Sequence, residues 1–111
     1  MNTLSTHVLD TMHGRPAAGL ALALAGPDGE IAVGMTNSDG RCPDLVPGPL
    51  APGAYTLRFM VADYFRAAGV MLPDPPFLDV VTIAFGMAEG GGHYHVPLLV
   101  SPWSYSTYRG S

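Results

Sequence analysis

Turn-forming residues interrupt this sequence at short intervals, and that rules out long regular elements. Gly14-Arg15-Pro16 breaks the chain early, Pro27-Asp28-Gly29 and Asn37-Ser38-Asp39-Gly40 follow, and a glycine-rich turn spans Gly86 to Gly92. In Pro27-Asp28-Gly29 the proline presets φ and the glycine accepts a left-handed position, as a hairpin turn requires. The segments between these turns are short and apolar. Leu4 to Asp10, Glu30 to Thr36, Phe77 to Phe85 and His93 to Val100 read as strands from their β-branched and aromatic content. Ala54 to Val61 alternates cleanly, with Tyr55, Leu57, Phe59 and Val61 on one face. Leu20 to Ala25, LALALA, fits strand or helix by periodicity alone, but its length and flanking glycines favour a buried strand. Tyr105 to Tyr108 can form a last short strand, and Pro97 predicts an edge or a bulge in the strand before it.

Cys42 to Gly53, with four prolines and two glycines, reads as an irregular connection, and Val70 to Pro76 as a proline-rich loop. Ala62 to Gly69 is the one credible helix, with Asp63 near its start and Gly69 ending it. Seven or eight short strands and one brief helix predict an all-β, two-sheet sandwich, a single domain over residues 1–111. Only 13% of the residues are charged while 48% are hydrophobic, so the chain either hides unusually much apolar surface or buries some against copies of itself.

The charge pattern excludes several function classes. Net charge is −4, and all five basic residues are arginines: Arg15, Arg41, Arg58, Arg66 and Arg109. Without lysine there is no Schiff-base chemistry, and without a broad basic surface nucleic-acid binding is not expected. Cys42 is the single cysteine, so neither a disulfide framework nor a cysteine-rich zinc site can form. No stretch has the apolar length of a membrane span, and the first residues lack the charged and apolar regions of a signal peptide, so a cytoplasmic protein is expected.

Chemistry concentrates at the C-terminal end. His93 and His95 share one strand face. Such a pair can supply two zinc ligands, with a third needed from elsewhere, can do metal-free acid–base work near neutral pH, or can simply be bonded on a sheet surface. His7 lies on a strand face with Ser5 and Leu9 and has the same structural alternative. Arg41 directly follows a tight Asp-Gly turn and offers a planar fork of donors to a carboxylate or a developing oxyanion; a solvated turn arginine is its plainer reading. Arg109 can meet an anion or bond near the chain end, and Tyr108 and Ser111 can donate hydrogen bonds to a polar ligand. Cys42 reads as a packed thiol rather than a nucleophile, and no G-x-S-x-G elbow, calcium loop or phosphate loop is present.

Three segments taken together carry a resemblance: LSTHVLDTMHGRPAAGL at Leu4 to Leu20, TNSDGR at Thr36 to Arg41, and HYHVPLLVSPWSYSTYRGS at His93 to Ser111. Together they resemble the 5-hydroxyisourate hydrolases, transthyretin-related enzymes of urate breakdown, over nearly the whole chain. The resemblance implies a transthyretin-like (prealbumin-like) sandwich that assembles as a homotetramer with sites at the dimer–dimer interface. It implies hydrolysis of 5-hydroxyisourate, a cyclic amide C–N bond, to 2-oxo-4-hydroxy-4-carboxy-5-ureidoimidazoline, with no metal or organic cofactor. The family's catalytic set matches His7, Arg41 and His95, and its substrate-binding set adds Tyr108 and Ser111 of the terminal YRGS. The competing expectation is a transthyretin-like protein that binds a small ligand without turnover. A zinc hydrolase using His7, His93 and His95 is a further alternative. The proline-rich loop Val70 to Phe77 departs from the family pattern, away from the expected site residues.

Overall fold

A computed structural model describes residues 2–110. Eight strands and one helix follow in the order β1 (Thr3–Asp10), β2 (Arg15–Pro16), β3 (Ala21–Gly26), β4 (Gly29–Met35), β5 (Gly53–Met60), α1 (Val61–Ala67), β6 (Val80–Met87), β7 (His93–Val100) and β8 (Tyr105–Thr107). They form two four-stranded sheets, ordered β2-β1-β7-β8 and β4-β3-β5-β6. One apolar cluster fills the space between them. It takes Val8 from β1, Leu22 and Leu24 from β3, Leu57 and Phe59 from β5, and Val96 and Leu98 from β7. The sandwich expected from the turn spacing is the architecture observed, and no helix among the described residues is long and apolar enough to cross a membrane.

Alternation decides which side chains enter the core. In β3 the leucines Leu22 and Leu24 point inward while the alanines between them are only half-buried, so LALALA is a strand with one packed face. In β1 the inward set is Thr6, Val8 and Asp10, which leaves Ser5, His7 and Leu9 on the outer face. Helix α1 buries Val61, Ala62, Tyr64 and Phe65 against the sandwich, has Asp63 in its first turn, and is followed by Gly69 at φ 87°.

Three features depart from the sequence reading, and a fourth lies outside it. Arg15 and Pro16 do more than break the chain: they form β2, pairing with Asp10 and Leu9. Strand β6 starts at Val80, not Phe77, because the ladder with β5 begins where Met60 meets Val80; the two prolines before it leave Phe77 outside the ladder and 69% exposed. Pro97 lies in neither an edge strand nor a bulge, since β7 runs between β1 and β8. In the register that pairs Leu98 with Thr107 and His95 with Gly110, Pro97 faces Tyr108 and has no N–H to donate, so only the β7–β8 ladder is interrupted. The fourth feature is Asn2, which is fully buried. Its backbone exchanges bonds with Leu50, its amide donates to the Ala88 carbonyl at 3.0 Å, and its side-chain oxygen accepts from Gly92 N–H at 3.1 Å.

Candidate active site

The candidate site is built by the one parallel strand pairing among the described residues. Strands β1 and β7 lie side by side with Thr3 opposite His93, Ser5 opposite His95 and His7 opposite Pro97. All six side chains therefore belong to the outer face, opposite the one that buries Thr6, Val8, Tyr94 and Val96. Residues about 90 positions apart in sequence become neighbours: Ser5 Oγ lies 2.8 Å from His95 Nδ1 and 2.8 Å from His93 Nε2, and Thr3 Oγ1 lies 2.7 Å from His93 Nδ1.

Arg41 reaches the same face from a separate turn. Asn37 caps that turn, its side-chain oxygen accepting from Asp39 N–H at 2.9 Å and Arg41 N–H at 3.0 Å. Gly40 then approaches β1 so closely that its carbonyl accepts from Val8 N–H at 2.8 Å. With φ at 75° and no room for a Cβ beside the Val8 carbonyl, position 40 requires glycine. The next residue, Arg41, forms an antiparallel bridge with His7, which sets the two side chains on one side. His7 Nε2 donates to the Asp39 carbonyl at 2.7 Å. A carbonyl only accepts, so that nitrogen carries a proton and neutral His7 keeps its lone pair at Nδ1.

His95 is fixed from both flanks. Ser5 engages its Nδ1, and Gly110 closes on its other side with an N–H donated to the His95 carbonyl at 2.7 Å. Burial pushes the His95 pKa below its ordinary value, and the positive charges of Arg41, His7 and His93 push it the same way. A neutral imidazole results, with Nε2 as its uncommitted nitrogen. Arg41 is exposed, and no carboxylate of the described residues pairs with it. Its guanidinium is therefore available to an anionic or carbonyl oxygen.

Of the remaining sequence candidates, Arg109 and Cys42 fall elsewhere. Arg109 points to the opposite face, where its guanidinium sits 3.9 Å above the Tyr94 ring centroid and donates to the carbonyls of Gly91 at 2.7 Å and His93 at 3.4 Å. That is the chain-end bonding reading, and it leaves Arg109 clamping the strand that carries the histidines. Tyr108 is 60% exposed and borders a cavity of about 220 Å³ with Tyr94, Val96 and Ile83, with no hydrogen bond to the histidine cluster. Ser111 lies outside the described residues. Cys42 is packed over Gly34, and burial pushes its thiol pKa up, which suits a packed group rather than a nucleophile. Among the described residues no three His, Cys, Asp or Glu side chains gather as a metal-binding group. Sequence reading missed Ser5 and Gly110. Strand parity put Ser5 beside His7, but nothing in the sequence revealed that β1 and β7 pair in parallel.

Residues 4–110 match the model of a family described as HIUase/Transthyretin. The 5-hydroxyisourate hydrolase of Ralstonia nicotianae is 58% identical over 117 aligned positions, covering all of both chains. In solved structures, the Klebsiella pneumoniae 5-hydroxyisourate hydrolase superposes with a TM-score of 0.87 at 35% identity, over 99% of this chain and all of that one. Transthyretin from Sparus aurata superposes with a TM-score of 0.85 at 32% identity, over 99% and 97% of the two chains.

Proposed function

The chain belongs to the HIUase/transthyretin family and is a hydrolase of 5-hydroxyisourate, and we propose that His7, Arg41 and His95 carry out its chemistry. The observation that supports this assignment most is the convergence of a neutral-biased imidazole, a second imidazole and a guanidinium that no carboxylate of the described residues pairs with, on one sheet face.

Opening the ring requires water to attack a ring carbonyl, the attacking water to lose a proton, and negative charge to build on the carbonyl oxygen. His95 is the better base, because its charged form is disfavoured by burial and by the Arg41 guanidinium, with His7 and His93 adding repulsion when protonated, so its Nε2 lone pair is available at neutral pH. Arg41 faces the developing oxyanion; a donor in that role is typically worth about 3 kcal/mol of barrier. His7 has Nε2 committed to the Asp39 carbonyl, which orients its ring and leaves Nδ1 for the substrate. The leaving ring nitrogen takes a proton as the C–N bond breaks, and the product carries the carboxylate. Tyr108 and Ser111 contribute hydrogen bonds to the substrate in this reading, and no metal or organic cofactor takes part.

The site face is open in a single protomer, with Arg41 and His93 exposed. Trp103, Tyr105 and Tyr108, which follow β7, are 58%, 46% and 60% exposed. Exposed aromatic surface favours cover by further copies, so a homotetramer with sites at the dimer–dimer interface is the assembly proposed. The free thiol of Cys42 suits the reducing cytoplasm, where we place the reaction within urate degradation.

The test is turnover with the protein far below substrate concentration. Conversion of many equivalents of 5-hydroxyisourate per protomer, lost in the Arg41→Gln and His95→Ala variants, is the expected result. Stoichiometric binding without conversion favours a ligand carrier instead.

A further inference from the structure

We propose that Ser5 and His93 form a proton relay that carries the proton accepted by His95 away from the substrate to solvent. The inference rests on the hydrolase reading above, and it gives a role to two residues that the catalytic set leaves unused.

The geometry is a continuous chain: His95 Nδ1 to Ser5 Oγ at 2.8 Å, Ser5 Oγ to His93 Nε2 at 2.8 Å, and His93 Nδ1 to Thr3 Oγ1 at 2.7 Å. A serine hydroxyl has one proton, so Ser5 cannot donate to both imidazoles. It donates to one and accepts from the other. Two proton orders are therefore self-consistent, and a step of one proton along each link carries one positive charge from His95 to His93. His93 is at the exposed end and His95 at the half-buried end.

The reaction has a proton to discharge. Water supplies two protons; one goes to the leaving nitrogen, and the new carboxylic acid is ionised at neutral pH, so each turnover releases one proton. The charged and titratable groups facing His95 are Arg41, His7 and His93, with Arg109 held on the far face of β7. A proton left on His95 is thus repelled and poorly solvated. In the relay, His95 starts with a proton on Nδ1 and takes one from water on Nε2. Its Nδ1 proton passes to Ser5 Oγ, and the serine proton passes to His93 Nε2. His93 then holds two ring protons and loses the one on Nδ1 past Thr3 to solvent. His95 ends neutral with its proton on Nε2; it gives that proton to the leaving ring nitrogen, and one proton re-entering at His93 Nδ1 and passing back along the chain restores the starting order.

Ser5→Ala, Ser5→Thr and His93→Gln, assayed in dilute buffer with and without added imidazole, test the relay. The expected result is a kcat about tenfold lower in Ser5→Ala and His93→Gln, less than the hundredfold or more that follows loss of a base itself. KM stays unchanged, added imidazole restores rate to His93→Gln, and Ser5→Thr keeps most of the activity. A wild-type kcat in both Ser5→Ala and His93→Gln overturns the proposal, as does a loss that imidazole does not repair. Nitrogen-15 NMR of the imidazoles gives a readout without substrate: Ser5→Ala changes the tautomer of His95 if the link is real, and an unchanged tautomer contradicts it. Absence of turnover in the wild-type protein removes the hydrolase reading, while the NMR comparison still decides whether His95, Ser5 and His93 are linked.

Discussion

Gly110 packs directly against His95: a Cβ built at position 110 lies 2.7 Å from Cδ2 of the imidazole and 3.1 Å from its Cβ. The same glycine donates its N–H to the His95 carbonyl. The chain end is thus a wall of the site, and its glycine is required by space.

Gly110→Ala is therefore expected to lower kcat by roughly a hundredfold, since displacement of a reacting group by a fraction of an ångström costs rate on that scale. Folding is expected to survive, because the contact is peripheral to the core. Circular dichroism and thermal melting beside steady-state kinetics check both halves.

The charge around His95 makes a pH prediction. Burial first, then Arg41, His7 and His93, hold its pKa below the ordinary histidine value. The base form is needed, so kcat/KM is expected to rise with pH through that depressed pKa and to be level at neutrality. Removing the Arg41 charge with Arg41→Gln takes away one repulsion and raises the His95 pKa. NMR titration of His95 is then expected to move to higher pH, whatever happens to the rate.

A second cluster governs stability in acid. Asp10 is buried, and its carboxylate accepts from Tyr64 OH at 2.7 Å, from His13 N–H at 2.9 Å and from His13 Nδ1 at 2.6 Å. Burial raises its pKa, but the hydrogen bonds from Tyr64 and His13 together with the His13 charge outweigh burial and hold it below its ordinary value. A carboxylate with a depressed folded-state pKa contributes stability that is present above the unfolded value and is lost as pH falls through the folded one. The protein is expected to lose stability below about pH 4, and Asp10→Asn to flatten that loss while costing about 1–3 kcal/mol at neutral pH. Urea melts across the acid range measure both.

Arg109 and Arg41 are expected to behave differently despite sharing a residue type. Arg109→Met removes a guanidinium stacked on Tyr94 and a bond to the Gly91 carbonyl. It is expected to cost about 1 kcal/mol of stability with KM unchanged, whereas Arg41→Lys is expected to keep stability and lose rate. Paired melts and kinetics separate the two roles.

Much of this architecture is legible in the sequence, and the limits have physical causes. Turn chemistry at Pro27-Asp28-Gly29 and Asn37 to Gly40 marks strand ends because glycine and asparagine meet backbone demands that are local. Strand parity put His93 and His95 on one face for the same reason. Pairing partners are not local. Ser5 and His95 meet only because β1 and β7 align in parallel across some 90 residues, and no pattern within either strand encodes that register. Arg41 and Arg109 each carry two readings in the sequence alone, and the bridge to His7 and the stack on Tyr94 are what separate them. Pro97 misleads for a related reason: a missing N–H interrupts one ladder, and whether the strand has a neighbour on its other side depends on the whole sheet.

The most direct measurement of the proposed chemistry is the decay of freshly generated 5-hydroxyisourate, followed by its ultraviolet absorbance, with wild-type protein and with His7→Ala, Arg41→Gln and His95→Ala. The wild type is expected to accelerate decay well beyond the spontaneous rate, with each variant losing at least a hundredfold in kcat/KM and His95→Ala approaching the rate without protein. Wild-type kinetics in a folded His95→Ala protein would contradict the assignment of His95 as the base.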